Sequence, residues 1–137
     1  MAYTSDVFNA AMGIMDELSS TGEAQTTDTQ EYVNRTPAIV NMMVAELAML
    51  TANRTSWLPV ESLEDMVPLA DDTYALSAMP YGLAANLLVD ENPTAASFYQ
   101  QRYEELRTLY VSRLPAEAED ITNLYGNIEY GEFSYWP

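Results

Sequence analysis

Adjacent carboxylates recur along this sequence, at Asp16-Glu17, Glu64-Asp65, Asp71-Asp72, Asp90-Glu91, Glu104-Glu105 and Glu119-Asp120. Oxygen-rich pairs of this kind are what a divalent cation, or a general acid working with a general base, would require. Their spacing argues against both uses. Neighbouring residues on a helix point about 100° apart, so a doublet does not converge on one ion, and the EF-hand spacing with its central glycine and terminal glutamate is absent. Most doublets fall at expected helix ends, where the helix dipole and solvent account for them. No metal and no cofactor is expected. A glycosidase-like carboxylate pair is left open, because the separation that defines one is a three-dimensional quantity.

The remaining catalytic vocabulary is missing. Without Lys, His or Cys the chain cannot build a Schiff base, a P-loop lysine, a Ser/His/Asp triad, a cysteine nucleophile or a His/Cys zinc site. Hydroxyl nucleophiles have no His or Lys to activate them. The glycines form no phosphate-cradling GxGxxG pattern. The expectation is a protein that is not an enzyme.

Charge narrows the partners. The chain carries 21 Asp and Glu against 5 basic residues, for a formal net charge of −16. All the basic residues are arginines (Arg35, Arg54, Arg102, Arg107, Arg113), and they are scattered, so no basic stripe can displace counterions from a nucleic acid. A hydrophobic fraction of 48% is too rich for an acidic disordered tail, and the length suits one domain with a real core. No basic amino-terminal region precedes an apolar run, so no signal peptide is expected. The most apolar run, residues 74–89, is shorter than the roughly 20 residues a membrane span needs and contains Pro80 and Gly82. A buried core helix is expected there, and no membrane.

The elements follow from periodicity. Val7, Ala11, Ile14 and Leu18 predict a first helix capped by Thr4 or Ser5, ending in a loop over residues 19–26 with Gly22 as the left-handed stop. The Thr27-x-x-Gln30 spacing of a capping box predicts the start of a second helix with Val33, Val40, Met43, Leu47 and Leu50 on its stripe. Pro37 must either kink that helix or restart it behind Thr36. Residues 51–59 read as a connection and residues 60–68 as at most a short helical turn. Asp71 and Asp72 are placed to cap one central helix over residues 74–89. Asn92-Pro93 predicts a long last helix, with Ala95, Tyr99, Tyr103, Leu106, Tyr110 and Leu114 on one face, Glu104 paired with Arg107 on the surface, and Pro115 as its stop. Met12, Met15, Met43 and Met79 read as core fillers. The fold class is therefore all-α: a small bundle of about four to five helices over residues 1–120, followed by an extended aromatic arm over residues 121–137.

That arm holds Tyr125, Ile128, Tyr130, Phe133, Tyr135 and Trp136, punctuated by Gly126 and Gly131. So many aromatics must be hidden against the arm's own domain, a neighbouring subunit or a partner protein. These residues are the candidate partner-binding site. The alternation Ile128, Tyr130, Glu132 would also let the arm add as a strand to a partner sheet.

Two stretches carry a resemblance. ALSAMPYGLAANLLVDENPTAASFYQQRYEEL, residues 75–106, and the tail YGNIEYGEFSYW, residues 125–136, resemble head-to-tail connector (adaptor) proteins of tailed bacteriophages and prophages. The matching pieces are Pro80-Tyr81-Gly82-Leu83-Ala84, Asn92-Pro93 followed by Phe98 and Arg102-Tyr103-Glu104-Glu105, and the glycine-punctuated aromatic tail. The amino-terminal half carries little of the likeness. The resemblance implies a structural virion subunit that assembles as a ring under the portal protein, with neighbouring adaptor subunits and stopper or tail proteins as its other partners. The chain would form a ring homo-oligomer in the assembled particle and be a monomer in isolation. It implies a place at the head–tail interface of the virion, reached from the bacterial cytoplasm, and an arm that docks on the portal or on a neighbour. An acidic inner wall would let DNA slide through without specific binding. The alternative is an acidic inhibitor or DNA mimic that occupies a basic site on a nucleic-acid enzyme; the charge suits that reading, while the aromatic tail and the almost uncharged central helix do not.

Overall fold

The computed structural model describes residues 1–114. Among them are five helices and no strand: α1 (Thr4–Ile14), α2 (Gln30–Leu50), α3 (Asp72–Ser77), α4 (Met79–Leu88) and α5 (Pro93–Ser112). The all-α expectation holds, while the arm over residues 121–137 lies outside the described residues.

The centre of the bundle is α4. Its sequence is apolar nearly all round, which forces it inside, and it packs against each of the other helices with Met79, Leu83, Ala84 and Leu87 buried. The single helix expected over residues 74–89 is in fact two, broken at Ala78. Pro80 cannot donate to the carbonyl of Leu76 and its ring crowds that oxygen, whereas in the first turn of α4 its missing N–H is no loss. Asp71 caps α3 as expected, its Oδ1 accepting the Tyr74 N–H at 2.9 Å. Asp72 does not cap; it lies in the first turn and pairs with the amino-terminal ammonium at 3.3 Å. Gly82 lets α4 approach its neighbours, since a Cβ there would meet Met43 Sδ at 2.6 Å and Tyr103 Cδ1 at 3.0 Å.

At α1 the cap is Tyr3 rather than Thr4 or Ser5, and the Asp6 carboxylate accepts the Tyr3 N–H at 2.9 Å. Thr4 is buried, with its N–H and Oγ1 both donating to the Asp65 carbonyl, while Ser5 N–H donates to Leu63. The start of α1 is thereby sewn to the turn at residues 62–65. The helix stops at Ile14, earlier than expected. Asp16 takes the left-handed φ of 61° and the Glu17 N–H returns to the Met12 carbonyl, a six-to-one closure. Leu18 therefore lies beyond the helix, and Gly22, at φ 86°, turns the following loop.

One uninterrupted helix, α2, runs through Pro37, so the restart does not occur. Thr36 is no cap: it is buried and its Oγ1 donates to the Tyr32 carbonyl at 2.7 Å. The proline costs the ladder one donor, but a single core face of Tyr32, Thr36, Val40, Met43, Val44 and Leu47 continues on both sides of it. The expected capping box gives way to Thr29, whose buried Oγ1 donates to Ala24 and accepts the Thr26 N–H, while Gln30 turns to Asn34. Leu50, expected on the buried stripe, is exposed. Residues 60–68 form a turn and no helix. Asn41 holds that segment to α2 by a reciprocal pair, donating to the Val60 carbonyl at 2.9 Å and accepting the Val60 N–H at 2.7 Å.

The last helix, α5, starts as expected, with Asn92 Oδ1 accepting the Ala95 N–H at 3.2 Å. It is the outermost element: only Ala96 and Tyr103 are buried, and Phe98 and Leu109 face solvent. The Glu104–Arg107 pair does not form. Glu104 accepts from the Gln100 amide, and Arg107 reaches across to α2.

Candidate functional site

The residues singled out for partner binding, Tyr125, Ile128, Tyr130, Phe133, Tyr135 and Trp136, lie outside the described residues, as does Glu119-Asp120.

Several of the described carboxylates are committed to local structure. Asp71 caps α3 and accepts the Tyr110 hydroxyl at 3.1 Å through its second oxygen. Asp65 accepts the N–H groups of Glu61 and Ser62. Glu91 accepts the Tyr32 hydroxyl, and Glu105 pairs with Arg102. Among the described residues no group of three His, Cys, Asp or Glu is placed to hold a metal ion.

A polar chain that the sequence did not disclose links three helices. Tyr103, from α5, donates to Glu46 Oε1 on α2 at 3.0 Å, and the Tyr74 hydroxyl on α3 lies 2.9 Å from that of Tyr103. Each hydroxyl has one proton, so with the Tyr103 proton given to Glu46, Tyr74 donates to Tyr103. Arg107 closes the chain, 3.0 Å from the same Glu46 oxygen and stacked over the Tyr103 ring at 5.2 Å. Burial first, then the hydrogen bond with Tyr74 and the Glu46 charge, pushes the Tyr103 hydroxyl well above the ordinary tyrosine range. Burial likewise raises Tyr74, and burial with Asp71 raises Tyr110. Hydroxyls shifted in this direction hold their protons at neutral pH; the arrangement clamps helices together and does not activate a nucleophile.

Charge is arranged unevenly. Arg35 lies against Glu31 and donates to the carbonyls of Asn86 and Leu87, Arg102 pairs with Glu105, and Arg107 pairs with Glu46. These cations are neutralised locally, which leaves an excess of carboxylate on the surface.

Against that acidic background α2 presents an uncharged outward face. Ala38, Met42, Ala45 and Met49 recur at steps of four, three and four and are all exposed, Met42 by 70% and Met49 by 77%. The helix is apolar on two sides, one buried and one not. The pattern is present in the sequence, yet the apolar positions of the buried stripe absorb attention first. Alongside this face, next to Met42, is a hollow of about 180 Å³ between α2, α4 and α5, lined by Ile39, Met42, Glu46, Asn86, Gln100 and Tyr103. On the buried side of α2, near its C-terminal end, a hollow of about 390 Å³ is lined by Leu47, Ala48, Thr51, Arg54, Leu69, Tyr110 and Leu114. Its wall includes Leu69, at φ 67° in a three-residue turn closed by the Ala70 N–H and the Pro68 carbonyl, the rare and strained kind of γ-turn.

No protein-family model, curated protein or solved structure matches this chain. Among the described residues no helix is long and apolar enough to cross a membrane.

Proposed function

We propose that the protein is a structural subunit of a virus particle, a head-to-tail connector that joins a ring beneath the portal of a tailed phage or prophage. The disposition of charge carries this reading. The chain bears −16 formal charges, and Arg35, Arg102 and Arg107 are each paired with a carboxylate, so the exposed field is one that repels a phosphate backbone rather than binding it. A ring with such a wall passes DNA without holding it. The likeness of residues 75–106 and 125–136 to connector proteins supplies the rest, with Tyr125, Ile128, Tyr130, Phe133, Tyr135 and Trp136 as the contacts to portal or neighbour. Closure of such a ring uses head-to-tail contacts between unlike surfaces.

Mixing the purified chain with the portal ring of the same phage, followed by electron microscopy, tests the proposal. The expected result is an added ring of density on the portal face. An unchanged portal, together with salt-sensitive inhibition of a nuclease by the chain, would replace the connector reading with that of an acidic DNA mimic, which the same charge also suits.

A further inference from the structure

We propose that the outward face of α5 is a two-fold interface with a second copy of this chain, in which Phe98 packs on the partner's Leu109 and Arg102 pairs with the partner's Glu105. Phe98, Arg102, Glu105 and Leu109 recur at steps of four, three and four, and all are exposed, Phe98 by 65% and Leu109 by 45%. At 100° per residue they occupy a strip about 60° wide, so they form one row about 16 Å long. Only Ala96 and Tyr103 of this helix are buried, which leaves the row open along its whole length.

Three observations choose a second copy as the occupant. The first is the order of chemistry along the row. Phe98 and Leu109 stand equally far on either side of the point between Tyr103 and Glu104, and so do Arg102 and Glu105. Turning a second α5 end for end about that point sets apolar on apolar and cation on anion throughout, the self-complementarity that an isologous contact requires. A parallel pairing would set Arg on Arg and Glu on Glu, at a cost in like-charge repulsion.

The second observation is charge. Two chains of net charge −16 repel one another over most of their surface. This row carries one cation and one anion, and Thr94, Gln101, Thr108 and Ser112, exposed beside it, carry none. The acidic chain therefore has a face on which a copy can approach without net repulsion.

The third is shape. A shallow hollow of about 580 Å³ borders Gln101, Thr108, Leu109 and Ser112, on the flank of the row where the antiparallel arrangement brings the partner's Phe98. Arg102 is already placed for its role, over the Tyr81 ring at 5.9 Å and 3.3 Å from Glu105, so little side-chain freedom is lost on pairing. The Glu105 carboxylate has lone pairs for both its own and the partner's guanidinium.

The inference does not depend on the connector reading. It gives the free chain a two-fold partner where that reading expects a monomer, and a contact between like faces closes on itself, leaving the unlike surfaces that a ring uses uncovered.

Sedimentation of the full-length chain over a hundredfold concentration range tests the proposal, with R102E and E105R as variants and circular dichroism as the check that each folds. The unmodified chain should reach twice the chain mass. Each single variant should dimerise at least about a hundredfold more weakly, because like charges then meet across the two-fold axis. An equimolar mixture of the two variants should regain the dimer, since one chain then presents two carboxylates and the other two guanidinium groups; the double variant R102E/E105R should dimerise as the unmodified chain does. An unmodified chain that is monomeric throughout would overturn the proposal. So would a dimer indifferent to both charge reversals, which would lie on another face, or a mixture of the two variants that stays monomeric.

Discussion

Tyr103 Oη lies 3.0 Å from Glu46 Oε1, tying the outermost helix, α5, to α2. Tyr74 donates into the same chain from α3, and Arg107 neutralises its far end. The bundle thus closes on a buried relay of hydroxyls as well as on apolar packing, and the consequences of breaking the relay are specific.

Replacing Tyr103 by Phe strands the buried Tyr74 hydroxyl and removes a donor from Glu46. A loss of about 1–3 kcal/mol is expected, the cost of leaving a buried polar group unpaired, measured by urea unfolding. The double variant Y74F/Y103F should lose less than the sum of the two single variants, because the second change removes the group that the first leaves unpaired.

Alkali should act through the same residues. Tyrosines whose folded pKa is raised above the unfolded value stabilise the native state fully at pH below about 10 and lose that contribution as pH rises past it. Burial and hydrogen bonding raise Tyr74, Tyr103 and Tyr110. Stability should therefore change little through tyrosine ionisation between pH 7 and 9 and fall above about pH 10, by up to about 1.4 kcal/mol per pH unit for each hydroxyl kept protonated only in the native state. Ultraviolet titration should find these tyrosines resisting ionisation until the chain unfolds; free titration of all ten tyrosines in the native protein would contradict this.

Gly82→Ala should destabilise, although alanine is the better helix former by about 1 kcal/mol. The added methyl meets Met43 Sδ at 2.6 Å and the Tyr103 ring at 3.0 Å. The methionine can move aside, but the ring is held by Glu46 and Tyr74, so overpacking of about 1–3 kcal/mol outweighs the helical gain. A thermal melt of the variant checks the sign.

Asn41→Ala should loosen one segment. Its amide makes both hydrogen bonds that hold Val60 to α2, and their loss should raise hydrogen exchange around residues 57–63 by at least tenfold, equivalent to about 1.4 kcal/mol of local opening. Exchange within α4 should be unaffected.

Helix type and sequence order were legible because they rest on local chemistry. Asn92-Pro93 started α5 and Asp71 capped α3 through bonds within three residues of each. Where the outcome depended on distant partners, the sequence misled. Thr4 resembles a cap but spends its hydroxyl on Asp65, and Thr36 resembles one but bonds Tyr32 inside a continuous helix. Arg107 sits at a favourable spacing from Glu104, yet Glu46, far away in sequence, holds it. The break at Pro80 was visible as a residue but not as a decision, since an apolar run outlasts a proline when tertiary packing covers both sides, as it does at Pro37. The outward methionine face of α2 could have been read from its four-three-four spacing, but only burial tells which of two apolar faces is the core.

The central claim is that this chain is a part of a particle. Mass spectrometry of purified phage particles from an induced host, with the portal protein as internal reference, tests it most directly. The account predicts the chain in the particles at a fixed stoichiometry to the portal, as a ring requires. Its abundance in the lysate but absence from purified particles would contradict the account.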